Sequence, residues 1–554
     1  MKLELPKDCR GYSFDRLFSA EMNDFDVERL LPSLFYLIIT GGKQHSSRTN
    51  NPTEYNKYLD LLIEHPRLQG FKDSSGKRLL DRWIRSTVVK MGRLGKSHYT
   101  QQIEYIIPLT ILCYKAGLPP EVRRQRGVHT FIYSLLCAAA QSSNETIKPE
   151  TLVDHLFREA FARGVNIGSG PKYDGHYDGE TELDVNTLLS ICYLDGFEPT
   201  EASKRESRIA VEPALPKVAK QLGQDLISYI LAYHTLLTPF SLTNNLMALI
   251  NFELFIYTLK LFYATNQLVA TATTAVMQET ASLPQIYVDF TRNRASDSDQ
   301  LARICVERDL EELRAYFESV ILLRTIDRFV QSQAKLKKSI EKLSTIDYLQ
   351  SLLSLQNNPD ILADAHAEVC SIKKESLDLA TETEKEELEK WFEEKELVSK
   401  NPLDFNVALL SEAQGKKAVE SYVMWYWSVG GLRKPFGLLV GNFQGKRNWR
   451  YSMSDDLLAT LVHLAMVEDI SANLTSTKVK RRLRLIDFLH FLENRYGIIV
   501  DRPPDFLDSA SARAASHENM EAMKRRLRQM GFFQVLSDDF TAQYLSDPLQ
   551  QEAK

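Results

Sequence analysis

The chain has 554 residues, 44% of them hydrophobic and 25% charged, with a net charge of −5. This ordinary globular composition excludes a fibrous repeat, a long disordered tract and a disulfide-stapled miniprotein, and the length predicts several domains. The charge is uneven: residues 430–535 hold 17 Lys and Arg against 11 Asp and Glu, a local +6, while the rest of the chain carries −11. An acidic body with a basic C-terminal part points to a polyanion partner for that part alone.

The N-terminus, "MKLELPKDCRGYSFDRLF", lacks a basic flank followed by an apolar stretch, so no secretion signal is expected. Apolar residues then recur at three- and four-residue spacing through "DFDVERLLPSLFYLII", "GKRLLDRWIRSTVVKM", "TFIYSLLCAAA", "ETLVDHLFREAFA" and "VAKQLGQDLISYILAYHTLL". Residues 1–282 therefore read as a helical N-terminal domain. Its breaker-rich stretches, 41–54, 117–121 and 164–180, read as loops. The longest apolar segment, "SLTNNLMALINFELFIYTLKLFYATNQL", carries Asn244, Asn245, Asn251 and Glu253, which fits a buried helix better than a lipid-facing one, so no membrane partner is expected.

After Pro284, "IYVDF" predicts an isolated strand. Helix resumes over 300–357, and 373–398 predicts one highly charged helix, a solvated face or a connector; 283–429 thus forms a connector or second helical domain. The cysteines, Cys9, Cys113, Cys137, Cys192, Cys305 and Cys370, form no C-x-x-C pair and sit in helical runs, as reduced core residues of a cytoplasmic protein would.

Residues 430–554 form the basic region. "GGLRKPFGLLVGNFQGKRNWRY" places Arg433, Lys434, Lys446, Arg447, Trp449 and Arg450 in a glycine-broken segment, where cations can approach phosphates and Trp449 can stack on a base or pack between domains. Ser454 caps the helix that follows. "TSTKVKRRLRL" adds Lys478, Lys480, Arg481, Arg482 and Arg484. From Leu485 the elements run helix ("LIDFLHFLENRYG"), strand ("IIVD"), short helix ("DFLDSASARAAS"), stronger helix ("HENMEAMKRRLRQMG"), then two strands ("FFQVL", "TAQYL") flanking "SDDF". Met520, Met523 and Leu527 share the core face of the last helix, and Gly531 terminates it.

This order resembles the winged-helix family over about residues 485–546, so the fold expected is mainly α with a C-terminal α+β winged-helix module. The resemblance implies that Lys524, Arg525, Arg526 and Arg528 lie on a groove-entering helix. Asp538 and Asp539 at the wing tip depart from a phosphate-binding pattern and leave protein docking open. The last 110 residues also resemble accessory proteins of bacterial antiphage defence operons linked to DNA modification, which implies a subunit working beside catalytic proteins encoded elsewhere.

Catalytic motifs are sparse. In "YDGHYDGETELD", Asp174, His176, Asp178, Glu180, Glu182 and Asp184 alternate and could hold a divalent cation in a nuclease or hydrolase, but the spacing matches no EF-hand. "DAHAEVC" puts only His366 and Cys370 on one helical face, too few for zinc. His463 and His490 lie on apolar helical faces as core residues. The leading expectation is a non-enzymatic subunit, without cofactor, of a bacterial defence complex, engaging DNA or partner subunits through its basic C-terminal region. The rivals are a metal-dependent enzyme using 174–184 and a pure protein scaffold.

Overall fold

The computed structural model describes residues 3–42, 55–87, 89–94, 101–106, 111, 127–140, 148–166, 176–183, 185–195, 212–278, 284–443, 445–468, 477–534 and 543–550. It is mainly helical. The larger helices are α1 (Val27–Ile39), α2 (Tyr55–Glu64), α3 (Ser74–Thr87), α4 (Val128–Ala140), α5 (Pro149–Phe161), α6 (Val185–Asp195), α7 (Pro216–Tyr233), α8 (Pro239–Thr271), α9 (Asp297–Ser332), α10 (Thr345–Ser354), α11 (Pro359–Leu379), α12 (Glu382–Val398), α13 (Pro402–Val429), α14 (Asp455–Met466), α15 (Leu485–Tyr496) and α16 (Ala510–Gln529).

At the centre runs α8, 33 residues long and buried nearly all round. By length and composition it could cross a membrane, but 94% of its apolar window is buried inside the protein, against α7, α9, α13 and α14. Several of its polar side chains are bonded internally, although Glu253 Oε2 and Thr265 Oγ1 are buried without a hydrogen-bond partner among the described residues. Asn251 donates to the Val429 carbonyl at 2.6 Å, Asn245 to the Tyr229 hydroxyl at 2.9 Å, and Glu253 accepts from the Tyr496 hydroxyl at 3.0 Å. The N-terminal segment lies along α9 and α13: Arg324 donates to the Gly11 carbonyl at 2.7 Å, and the Gln414 amide brackets Cys9 and Gly11.

Local departures from the sequence expectation have identifiable causes. The helix expected through Met91 stops at Thr87, and β1 (Val89–Leu94) pairs with β2 (Gln101–Ile106) as an antiparallel hairpin. The expected 300–357 helix breaks after Ser332 and again before the Ser344 cap of α10. The charged 373–398 stretch is two helices, because Thr381 and Glu384 form a capping box that starts α12 afresh. In the 164–180 loop, β3 (Val165–Asn166) and β4 (His176–Tyr177) pair. Cys9, Cys192 and Cys305 are buried, Cys137 is half-buried, but Cys370 is exposed, beside His366 on one helical face; Cys113 lies outside the described residues.

The predicted strand after Pro284 is β5 (Ile286–Tyr287), and it is not isolated. It pairs in parallel with β9 (Ile498–Ile499), 212 residues further on. The hairpin of β6 (Leu439–Val440) and β7 (Arg450–Tyr451) packs β7 on α9. A three-stranded antiparallel sheet has the order β10 (Phe533–Gln534), β11 (Tyr544–Ser546), β8 (Arg482–Arg484). Two expectations for this region are corrected. The "IIVD" strand joins β5 rather than the C-terminal ribbon, and the ribbon takes its third strand from β8, ahead of α15. The two expected helices over 505–531 are one: no Gly or Pro interrupts Ala510–Gln529, Ser509 caps it through the Ala512 amide, and Gly531 ends it in the left-handed conformation (φ +82°).

Candidate nucleic-acid interface

The first cation stretch surrounds the β6–β7 hairpin. Gly431 takes φ +68° against Gly437, an approach that leaves no room for a side chain. Arg433 beside it is exposed, donates to the Asn442 side chain at 3.0 Å and lies over the Phe443 ring at 4.8 Å. Lys446 and Arg447 are exposed. The remaining members face inward. Lys434 pairs with Asp26 at 3.4 Å, and Arg450 is buried in an ion pair with Asp299 at 2.5 Å. Trp449 is buried, donates through Nε1 to the Asn442 carbonyl at 2.7 Å and stacks on Tyr426. The packing role is the one it fills: no face of that ring is open to a nucleobase.

The second stretch leads into the C-terminal sheet. Lys478, Arg481, Arg482 and Arg484 are exposed, Lys480 is half-buried, and Arg484 forms a bidentate pair with Asp487 at 2.7 Å. Among the described residues Lys478, Arg481 and Arg482 form no ion pair, while Lys480 lies near enough to Asp487 to help hold its carboxyl pKa down. Strand alternation sends Leu483 into the core and Arg482 and Arg484 outward, opposite Ser546 and Tyr544 of β11.

The third stretch is the C-terminal half of α16, where the burial of Met520, Met523 and Leu527 agrees with the sequence reading. Arg525 is exposed, and Arg528 is exposed over the Phe533 ring. Lys524 is mostly covered and pairs with Glu521. Arg526 contradicts its expected role as a nucleic-acid ligand. It is buried, bonded to Asp455 and to the Met453 carbonyl at 2.9 Å, because a helix turn places it on the same side as Met523 and Leu527. Burial pushes its guanidinium pKa down, partly offset by Asp455. The wing-tip residues Asp538 and Asp539 lie outside the described residues.

In the acidic loop, Asp174, Asp184 and the His176 side chain lie outside the described residues. Asp178 is an internal turn acceptor, bonded to the Glu180 and Thr181 amides at 2.9 Å and to the Thr181 hydroxyl, and these bonds hold its carboxyl pKa below the usual range. Among the described residues no three His, Cys, Asp or Glu side chains gather as a metal site. His463 is buried between Tyr233 and Phe532, 3.5 Å from Asp547, whereas His490, read as a core residue, is exposed.

Sequence reasoning missed two neighbours of these cations. Tyr544 stands opposite Arg484 on the outer sheet face, which required knowing the strand pairing. Arg292, exposed in a left-handed turn (φ +56°) and paired with Asp455 at 3.4 Å, belongs to a segment distant in sequence.

Fold and site together define a mainly helical protein that carries a basic α+β module at its C-terminus. The sequence pattern of the family described as methylation-associated defense system protein MAD7 matches residues 7–549, and the chain belongs to that family. It is a component of a methylation-associated defence system, and the match extends far beyond the last 110 residues in which the resemblance was read. No curated protein and no solved structure matches the chain.

Proposed function

We propose that this chain is a non-enzymatic, DNA-associated subunit of its defence system, whose basic C-terminal region engages duplex DNA while the helical body meets partner subunits. The observation that carries the reading is the order α14, β8, α15, α16, β10, β11, interrupted after α15 by β9, which pairs away with β5, together with the sheet order β10-β11-β8. A winged helix has this order, beginning one helix earlier than the sequence suggested, with α14 as its first helix and β8 as its first strand. The run of cations at 478–484 supports a polyanion ligand for this module. A gel shift of the full chain on duplex DNA at low salt, with Mg²⁺ and Mn²⁺ arms, tests both parts. The reading expects a salt-sensitive shift of intact DNA. Cleavage in the metal arms would replace it with the nuclease reading, and no shift would favour a protein scaffold.

A further inference from the structure

We infer that the DNA-contacting surface of the C-terminal module is the outer face of β8 and β11 with its lead-in, Lys478–Arg484, and that α16 serves as a strut. This rests on the DNA-associated reading above and specifies where and how the duplex is held: by its phosphate backbone, on a sheet face.

Five of the seven residues from 478 to 484 are cations, and none is acidic. Leu483, Leu545 and Phe533 are buried beneath the sheet, so the register cannot slip by one residue without moving apolar side chains into water. That anchoring fixes Arg482 and Arg484 outward, about 6.6 Å apart along the strand, with Tyr544 beside Arg484. The Arg484–Asp487 pair is exposed and can be exchanged for a phosphate at little cost.

α16 offers less. Its inner side is bolted to the body: the Asn519 side chain bonds Phe290 N at 2.6 Å, the Val288 carbonyl at 2.9 Å and the Val500 carbonyl at 3.1 Å, and Arg526 is consumed by Asp455. Its outer side mixes signs, with Glu518 and Glu521 ahead of Arg525 and Arg528, and with Arg513 held by Asp508. A groove-entering helix needs a positive outer face. The sheet face has one, and charge complementarity therefore favours duplex phosphates there.

The test is fluorescence anisotropy of the full chain on a labelled duplex across a salt series, comparing R481A/R482A with R525A/R528A, each checked for an unchanged melting temperature. The sheet variant is expected to lose about tenfold or more in affinity, and its slope of log K against log[salt] to shrink by roughly 2. R481K/R482K should recover most of the loss, since phosphates accept point charges, and the helix variant should stay within about twofold of wild type. If the helix variant loses binding and the sheet variant does not, the inference is overturned while the DNA reading stands. If wild type binds no duplex at low salt, the reading itself has failed. If the sheet variant binds duplex normally but no longer co-purifies with another protein of the system, the face is a protein-docking surface and the inference is overturned.

Discussion

Arg526 bridges two ends of the C-terminal module: its guanidinium holds the Asp455 carboxylate in the first turn of α14 and, at 2.9 Å, the Met453 carbonyl. It sits in a basic run whose exposed neighbours are available to solvent, yet its own charge is spent inside the fold.

Arg526→Ala is therefore expected to destabilise the chain by about 2 kcal/mol, through a lost ion pair, an orphaned carbonyl and lost packing. Arg528→Ala, two residues on and exposed, should stay within about 0.5 kcal/mol of wild type. Denaturant unfolding of both variants checks this, and equal losses would remove the distinction between the two arginines.

Asn519 performs a similar task for the backbone, joining the segments that follow β5 and β9 through three bonds, to Phe290, Val288 and Val500. Asn519→Leu should cost on the order of 3 kcal/mol, because it leaves one amide and two carbonyls buried without partners. Hydrogen exchange should show faster exchange at Phe290; an unchanged rate would mean that the strands hold themselves.

Glu253 predicts the pH response. Its carboxyl is fully buried, and burial, reinforced by the negative charge of Asp225, raises its pKa well above the ordinary 4.5. A carboxyl with a raised folded-state pKa keeps a proton that the unfolded chain has released. Its contribution is fully present below pH 4.5 and is lost as pH climbs toward the raised value. Glu253→Gln mimics the protonated form, so its melting temperature should fall less than that of wild type as pH rises from 5 to about 8. Parallel curves for the two proteins would sink this account.

Trp449 shows how sequence and fold part company. Glycines and cations on either side made it a candidate for base stacking, but the β6–β7 pairing turns it onto Tyr426 beneath the hairpin. Trp449→Ala is expected to cost about 3–5 kcal/mol as a cavity mutation. Trp449→Phe should preserve any DNA affinity, and a large selective loss of affinity in that variant would restore the stacking role.

Much of the helical body was legible because its apolar spacing is strong: α4, α5, α7 and the buried face of α16 fall where periodicity puts them. Short-range caps were legible too, as Ser454 and Gly531 illustrate. Long-range pairing was not. Nothing local in "IIVD" says that it adds to Ile286–Tyr287, and nothing in "RLR" says that it completes a sheet with residues 60 positions away. The hairpin of β1 and β2 was hidden because "STVVKM" continues a helical apolar spacing while its β-branched valines favour a strand. For the interface, sequence located the cations but could not separate Arg450 and Arg526, which are spent on Asp299 and Asp455, from Arg481 and Arg482, which face solvent.

The central claim, that the basic C-terminal region is where this defence protein meets DNA, is tested most directly by photocrosslinking the full chain to a duplex carrying photoreactive bases and mapping the modified peptides by mass spectrometry. The account predicts crosslinks concentrated between residues 430 and 554, with peptides spanning Lys478–Arg484 foremost and Trp449 unmodified. Crosslinks confined to the helical body before residue 430, or none above those of a non-binding control protein, would contradict it.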